Sequence, residues 1–326
     1  MCLRRGHDLC SLPRSSPGVI HLLSTKFCGV ELGNPTRLAS GILGVNAGQI
    51  IRVARKGAGA VTMKSIGPRE RHGHNNPTVV EWEHGLLNAV GLPTPGYKNY
   101  DEEFEELKEL KKLGVPLIAS VYGSKWDEFA EVAAYVAGKK PELIELDISC
   151  PNTEWQDIQF ACDPEISGKI VSSVKDVAGK IPVIAKLTPA ATSPVQVGKA
   201  CEEAGADALC AGNTMPGMLI DADAKKPVLA FRIGGISGPA LKPINLKVTY
   251  DLFEKVQIPI IGEGGISNGR DALEYVMAGA TLCGIGSAVW QGGIGVFKKT
   301  CSEMERWMKE NGYSKLEQLR GVAHEK

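Results

Sequence analysis

Residues 259–288 read PIIGEGGISNGRDALEYVMAGATLCGIGSA. The short apolar run at 259–262 predicts a strand. The glycine-bearing turn Gly262-Glu263-Gly264-Gly265-Ile266 follows it directly, and the spacing of apolar residues over 268–278 predicts a helix. A second apolar run at 282–285 predicts another strand, which runs into a second glycine turn, Gly284-Ile285-Gly286-Ser287. Two strands joined by a helix lie parallel, and continuous apolar strands are covered on both faces. This stretch therefore reads as the repeating unit of an α/β fold.

The same alternation extends back to residue 36. Strands are predicted at 36–40, 60–64, 116–121, 143–147, 182–186 and 208–212, ahead of the two at 259–262 and 282–285. Helices are predicted at 47–56, 100–113, 126–138, 164–177, 194–204, 246–256 and 268–278, with a last one from about Val289. Long insertions separate residue 64 from 100 and residue 212 from 246. Eight βα units predict a closed (β/α)8 TIM barrel, a parallel eight-stranded barrel with insertions at its C-terminal face. An open doubly wound sheet is the competing reading of the same pattern. In a barrel the chemistry sits just after the strands, so the positions to inspect are Ser40, Lys64, Asp147 to Asn152, Lys186, Asn213, Gly264 and Gly286.

Of the 326 residues, 43% are apolar and 23% charged, enough for a large single core. Lys plus Arg and Asp plus Glu are 37 each, without the basic excess usual in nucleic-acid binders. No apolar run reaches 18 residues, so no membrane-spanning helix is expected. The nine cysteines are scattered, with no CxxC pair and no zinc-like Cys/His spacing, so no metal site is expected. That usage fits reduced thiols in a cytoplasm, and Cys28, Cys201, Cys210 and Cys283 read as small core residues. Residues 1–24 lack a clear period and a sustained apolar stretch, which predicts a flexible N-terminal tail ahead of a single domain over 25–326.

Two glycine turns on adjacent strands, at the end of the barrel where phosphates are commonly held, predict a phosphate-binding site; their bland role is to turn the chain. Gly234-Gly235-Ile236-Ser237-Gly238, in the second insertion, is a third candidate element for the same ligand. GxGxxG after the first strand is absent, so a dinucleotide site is not indicated. Lys64 and Lys186 each close an apolar strand and point charge toward the site, where a surface lysine would snorkel outward. Ser149-Cys150-Pro151-Asn152 places a thiol at the barrel mouth, and a thiol with a tuned pKa works as an acid/base or nucleophile. Spacing alone leaves a structural and a catalytic Cys150 both open. Asn88 and Asn213-Thr214 add neutral donors and acceptors.

Taken in order and spacing, Ala39-Ser40-Gly41, Thr62-Met63-Lys64-Ser65, Leu87-Asn88-Ala89-Val90-Gly91-Leu92, Ser149-Cys150-Pro151-Asn152, Lys186, Asn213-Thr214, Gly234-Gly235 with Lys242-Pro243, Gly264-Gly265 and Gly286-Ser287 resemble the class 1 dihydroorotate dehydrogenases. The resemblance runs from about Phe27 to the C-terminal helix and is nearest the NAD-linked 1B branch and its archaeal members. It implies oxidation of dihydroorotate to orotate in pyrimidine biosynthesis, with FMN held by Ala39, Ser40, Lys64, Lys186, Gly235, Gly264, Gly265, Gly286 and Ser287. It implies orotate bound by Lys64, Asn88, Gly91, Leu92, Asn152, Asn213 and Thr214. Cys150 would be the base, with Lys186 as the second catalytic residue, and residues 153–163 the mobile loop carrying it. The resemblance further implies a cytoplasmic homodimer or heterotetramer, with a separate FAD and iron–sulfur subunit passing electrons to NAD; fumarate is the acceptor in the 1A branch.

One position departs from the family pattern. Asp147 stands where an asparagine usually touches substrate and flavin, and a carboxylate beside anionic orotate is unfavourable unless paired. Lys186 is the partner the sequence offers. Three other functions share parts of this pattern. A tRNA-dihydrouridine synthase would need an RNA-binding surface that the balanced charge does not supply. A dihydropyrimidine dehydrogenase-like enzyme would carry cysteine clusters. A non-catalytic phosphate-binding barrel would leave Cys150, Lys64 and Lys186 without a role.

Overall fold

The structure, a computed structural model, describes residues 22–149 and 160–325. The strands are β1 (Thr36–Leu38), β2 (Ala60–Thr62), β3 (Leu117–Val121), β4 (Leu143–Asp147), β5 (Val183–Leu187), β6 (Ala208–Ala211), β7 (Ile260–Glu263) and β8 (Leu282–Ile285). Each pairs in parallel with the next, and β8 pairs with β1, so the sheet closes into a barrel. This is the (β/α)8 barrel the apolar runs predict, and closure excludes the open-sheet reading.

Around it run α1 (Ala47–Ala54), α2 (Asp101–Leu107), α3 (Glu109–Leu113), α4 (Trp126–Gly138), α5 (Pro164–Ala178), α6 (Pro194–Glu203), α7 (Lys242–Phe253), α8 (Gly269–Met277), α9 (Ala288–Gly292) and α10 (Val296–Glu310). Several starts are written in the sequence. Asn46, Asp163, Ser193 and Asn268 accept from the backbone N–H three residues on, and α5 and α6 begin on a proline, whose missing N–H is no loss in a first turn. Three helices differ from expectation. The one expected over 100–113 is broken at Lys108 into α2 and α3. α7 begins at Lys242, because Pro243 sits in its first turn and does not delay it. The C-terminal helix is split into α9 and α10 around Gly293, whose φ of +61° favours glycine.

The insertions carry structure that the sequence reading treated as loop. Met215–Gly217, Gly234–Ser237, Gly85–Asn88 and Val79–Trp82 form a four-stranded antiparallel sheet in that order, joining the two insertions over one end of the barrel. At the other end the hairpin Thr25–Phe27 with Val30–Leu32 closes the barrel, and Phe27 and Leu32 pack with Ile118, Leu143, Ile184 and Ile261 inside it. Leu23, within the segment read as a tail, is buried in the main core. Cys28 is half-buried in the hairpin turn, not a core residue, and its thiol donates to Asp207 O at 3.4 Å. Cys201, Cys210 and Cys283 are buried. No helix among the described residues is long and apolar enough to cross a membrane.

Candidate functional site

A cavity of about 280 Å³ opens at the C-terminal ends of the strands, beneath the four-stranded sheet. Lys64, two residues beyond β2, and Lys186, near the end of β5, both line it, and both are nearly fully buried. A lysine in that position does not snorkel to solvent, so its charge must be answered locally. For Lys186 the answer is Glu263, at the end of β7, whose Oε1 lies 2.7 Å from its Nζ. Burial alone would lower the Lys186 pKa, but Glu263 and Glu145 outweigh it and hold the ammonium charged well above its usual range.

One wall is made by the glycine turns. Gly264 and Gly265 have φ of +127° and +72°, and Gly265 leaves no room for a side chain, since a Cβ would lie 2.7 Å from that of Lys242. Lys242 is itself fixed by Asp271 and Glu274, at 2.7 and 2.8 Å. Gly286, Ser287, Ala39 and Ser40 continue the wall. Asn245 of α7 donates through Nδ2 to Glu263 O at 2.7 Å and Asn213 O at 3.1 Å, tying the loops after β6 and β7 together.

The opposite wall carries Asn88, Gly91, Leu92, Asn213 and Thr214. Gly91 O accepts from Arg71 Nε at 2.7 Å, and Leu92 O accepts from the Tyr122 hydroxyl at 3.1 Å. Asn213 donates to Ser149 Oγ at 2.8 Å, while its own oxygen accepts from Thr214 N at 2.7 Å. Gly235 does not line the cavity. It lies behind Thr214, where a Cβ would meet Thr214 Oγ1 at 2.1 Å, and its carbonyl accepts from Asn88 Nδ2 at 3.2 Å. The glycine thus permits a close approach between strand and loop.

Comparison with known proteins agrees along nearly the whole chain. A family model described as dihydroorotate dehydrogenase matches residues 22–308. The chain belongs to the dihydroorotate dehydrogenase family. It is similar to a protein of Methanocaldococcus jannaschii named dihydroorotate dehydrogenase B (NAD(+)), catalytic subunit, with 47% identity over 93% of this chain and 99% of that one. Proteins of the same name from Methanosarcina mazei and Pyrococcus abyssi are 44% and 41% identical, over 91% and 93% of this chain and 94% and 99% of theirs.

Two features of this dihydroorotate dehydrogenase family member differ from the sequence reading. The first concerns Asp147, which lines the cavity. Its partner is not Lys186, which Glu263 engages. Asp147 accepts from Ser65 Oγ at 3.0 Å and from Ser149 Oγ and Asn213 Nδ2 at 3.4 Å, all neutral donors. The second is a buried charge cluster. Arg37 of β1 is fully buried and reaches Glu145 Oε2 at 2.6 Å and Glu263 Oε2 at 2.5 Å. Burial works against the charge on Arg37, and the nearby Glu145, Cys210 and Glu263 outweigh it, raising its pKa. Burial likewise disfavours the Glu263 carboxylate, yet Lys186 and Arg37 hold its pKa below the usual value. Gly284 makes the bridge possible, because a Cβ there would lie 2.3 Å from Glu263 Oε2. The available signal was a charged residue inside an apolar strand, three times over. Cys150 and Asn152, with the rest of 150–159, lie outside the described residues; of the proposed base-bearing loop, Phe160–Cys162 forms a short 3-10 turn and Asp163 caps α5.

Proposed function

We propose that this chain oxidises dihydroorotate to orotate, with FMN held in the cavity and Cys150 taking the proton. The observation that carries the reading is the convergence of two buried lysines, two glycine turns and two asparagines from separate strands on one cavity. The donor set fits the cofactor. Gly264, Gly265, Gly286 and Ser287 offer backbone N–H groups and a hydroxyl that would hold a phosphate, Ala39 and Ser40 would lie against the cofactor, and Gly235 backs the site through Thr214. Bound there, a flavin supplies a hydride acceptor. Lys64 and Lys186 favour negative charge on the ring, and Lys64 also suits the substrate carboxylate. Asn88, Asn152, Asn213 and Thr214 match the ring's alternating N–H and C=O groups, while Gly91 and Leu92 border them. Cys150 removes the proton from C5 as the hydride leaves C6.

The purified protein should carry about one FMN per chain, bleached anaerobically by dihydroorotate. Released flavin that proves to be FAD, or a reconstituted protein that dihydroorotate cannot bleach, overturns the reading.

The relatives' names, NAD(+) and catalytic subunit, support a second step through a partner. We assign NAD reduction to a separate FAD and iron–sulfur subunit that joins this chain in the cytoplasm, the chain itself forming a homodimer or part of a heterotetramer. The isolated chain should reduce NAD at a small fraction of the rate seen once that subunit is added. Equal rates with and without it would contradict the assignment.

Asp147 bears on affinity. Among the described residues only neutral donors reach it, and its carboxylate repels an anionic ligand. Asp147→Asn keeps the shape and should tighten orotate binding by roughly 3–10-fold, the effect of one partly screened like charge. Titration of the flavin spectrum with orotate reads this directly, and an unchanged or weaker Kd rejects it.

A further inference from the structure

A (β/α)8 barrel interior is ordinarily filled with branched aliphatic side chains. Here four charges take some of those places, joined in a line. Glu145 Oε2 meets Arg37 Nη1 at 2.6 Å, Arg37 Nη2 meets Glu263 Oε2 at 2.5 Å, and Glu263 Oε1 meets Lys186 Nζ at 2.7 Å. Glu263 and Lys186 line the cavity; Arg37 and Glu145 do not, and neither has any exposed surface. Such clusters are a weak source of stability, since apolar residues of similar volume often serve as well. This one is also imperfectly satisfied, because Glu145 Oε1 and Arg37 Nε find no partner among the described residues. Buried polar atoms left unpaired call for a role other than packing.

We propose that Glu145 is a positioning residue which, through Arg37 and Glu263, sets the charge that Lys186 presents to the bound flavin ring, and so the flavin's reduction potential. This rests on the FMN reading above. Glu263 is shared between two cations, one carboxylate oxygen to each. The hold of Glu145 on Arg37 therefore decides how far Glu263 is left to neutralise Lys186. The line carries two positive and two negative charges. Removing the negative charge of Glu145 leaves it with an excess positive charge, which favours the anionic reduced ring.

The test is the midpoint potential of the flavin-loaded chain, measured by equilibration with reference dyes. Glu145→Gln keeps the shape, and its amide oxygen still accepts from Arg37. It should raise the potential by an amount equal to about a tenfold change in the oxidised/reduced ratio, about 30 mV for a two-electron couple. Glu145→Asp keeps the charge and should stay near the wild-type potential. If Glu145→Gln does not fold, Glu145→Met removes the same charge and should shift the potential in the same direction. An unshifted or lowered potential in the neutral variant overturns the proposal, as does an equal shift in Glu145→Asp, which would assign the effect to packing. A wild-type chain that binds no flavin is a separate result: it removes the cofactor reading itself and this inference with it.

Discussion

Cys150→Ala is expected to slow anaerobic bleaching of the flavin by dihydroorotate by about 10²–10⁴-fold while the flavin stays bound, the range a positioned base usually supplies. Oxidation of the substrate removes a hydride from C6 and a proton from C5, and the proton needs an acceptor on the ring face away from the flavin. Cys150 itself lies outside the described residues, but the residue before it does not. Ser149 is nearly fully buried and tied to Asn213 at 2.8 Å, so the chain leaves β4 at the cavity wall. The thiols elsewhere among the described residues are poorly suited to the task. Burial pushes Cys201 up to about 12, and burial with the nearby Asp207 charge does the same for Cys28. Cys150→Ser should recover part of the rate at high pH, because a hydroxyl is a poorer base than a thiolate. Stopped-flow single-turnover bleaching separates this chemistry from binding. If Cys150→Ala bleaches at nearly the wild-type rate, the proton leaves by another group and the assignment is wrong.

The barrel was legible because its strands read as short, mostly apolar runs, and most of them end in a distinctive residue. The runs ending near Lys64, Asp147 and Lys186 fixed both the strand order and the rim of the cavity. What stayed hidden depends on partners far away in the chain. Arg37 and Glu263 are 226 residues apart, and Arg37 and Glu145 are 108 apart. Nothing local to any of them announces the pairing. Asp147 and Lys186 sit side by side in register on β4 and β5. They are nonetheless not a pair, because Glu263, two strands farther round the barrel, takes the lysine. Gly234 and Gly235 read as a third element around the ligand, not as a strand, because glycine weakens strands. They lie in a strand, and glycine is needed in it because side chains there would strike Asn88 O and Thr214 Oγ1.

Arg37→Met is expected to destabilise the fold by about 3–5 kcal/mol, the usual consequence of removing one partner from a buried ion pair. Arg37 answers two carboxylates at once, Glu145 and Glu263, and methionine leaves both in the barrel interior without it. At roughly 2–4 °C for each kcal/mol, the melting temperature should fall by roughly 6–20 °C. The pH dependence has a definite sign. In the intact chain the pKa of Glu263 is held below its unfolded value, because Lys186 and Arg37 outweigh the burial that opposes them. Its contribution to stability is therefore fully present above about pH 4.5 and is lost as the pH falls through the lower folded value. Without Arg37, burial raises that folded value, and protonation relieves the variant at a higher pH. The gap between the two melting curves should be widest near neutrality and narrow on acidification. Adding Glu145→Gln to Arg37→Met removes one stranded carboxylate and should restore part of the loss, a non-additivity expected of residues in direct contact. A single variant that melts within about 2 °C of the intact protein, or a gap that widens on acidification, would show that the cluster contributes through shape and not through charge.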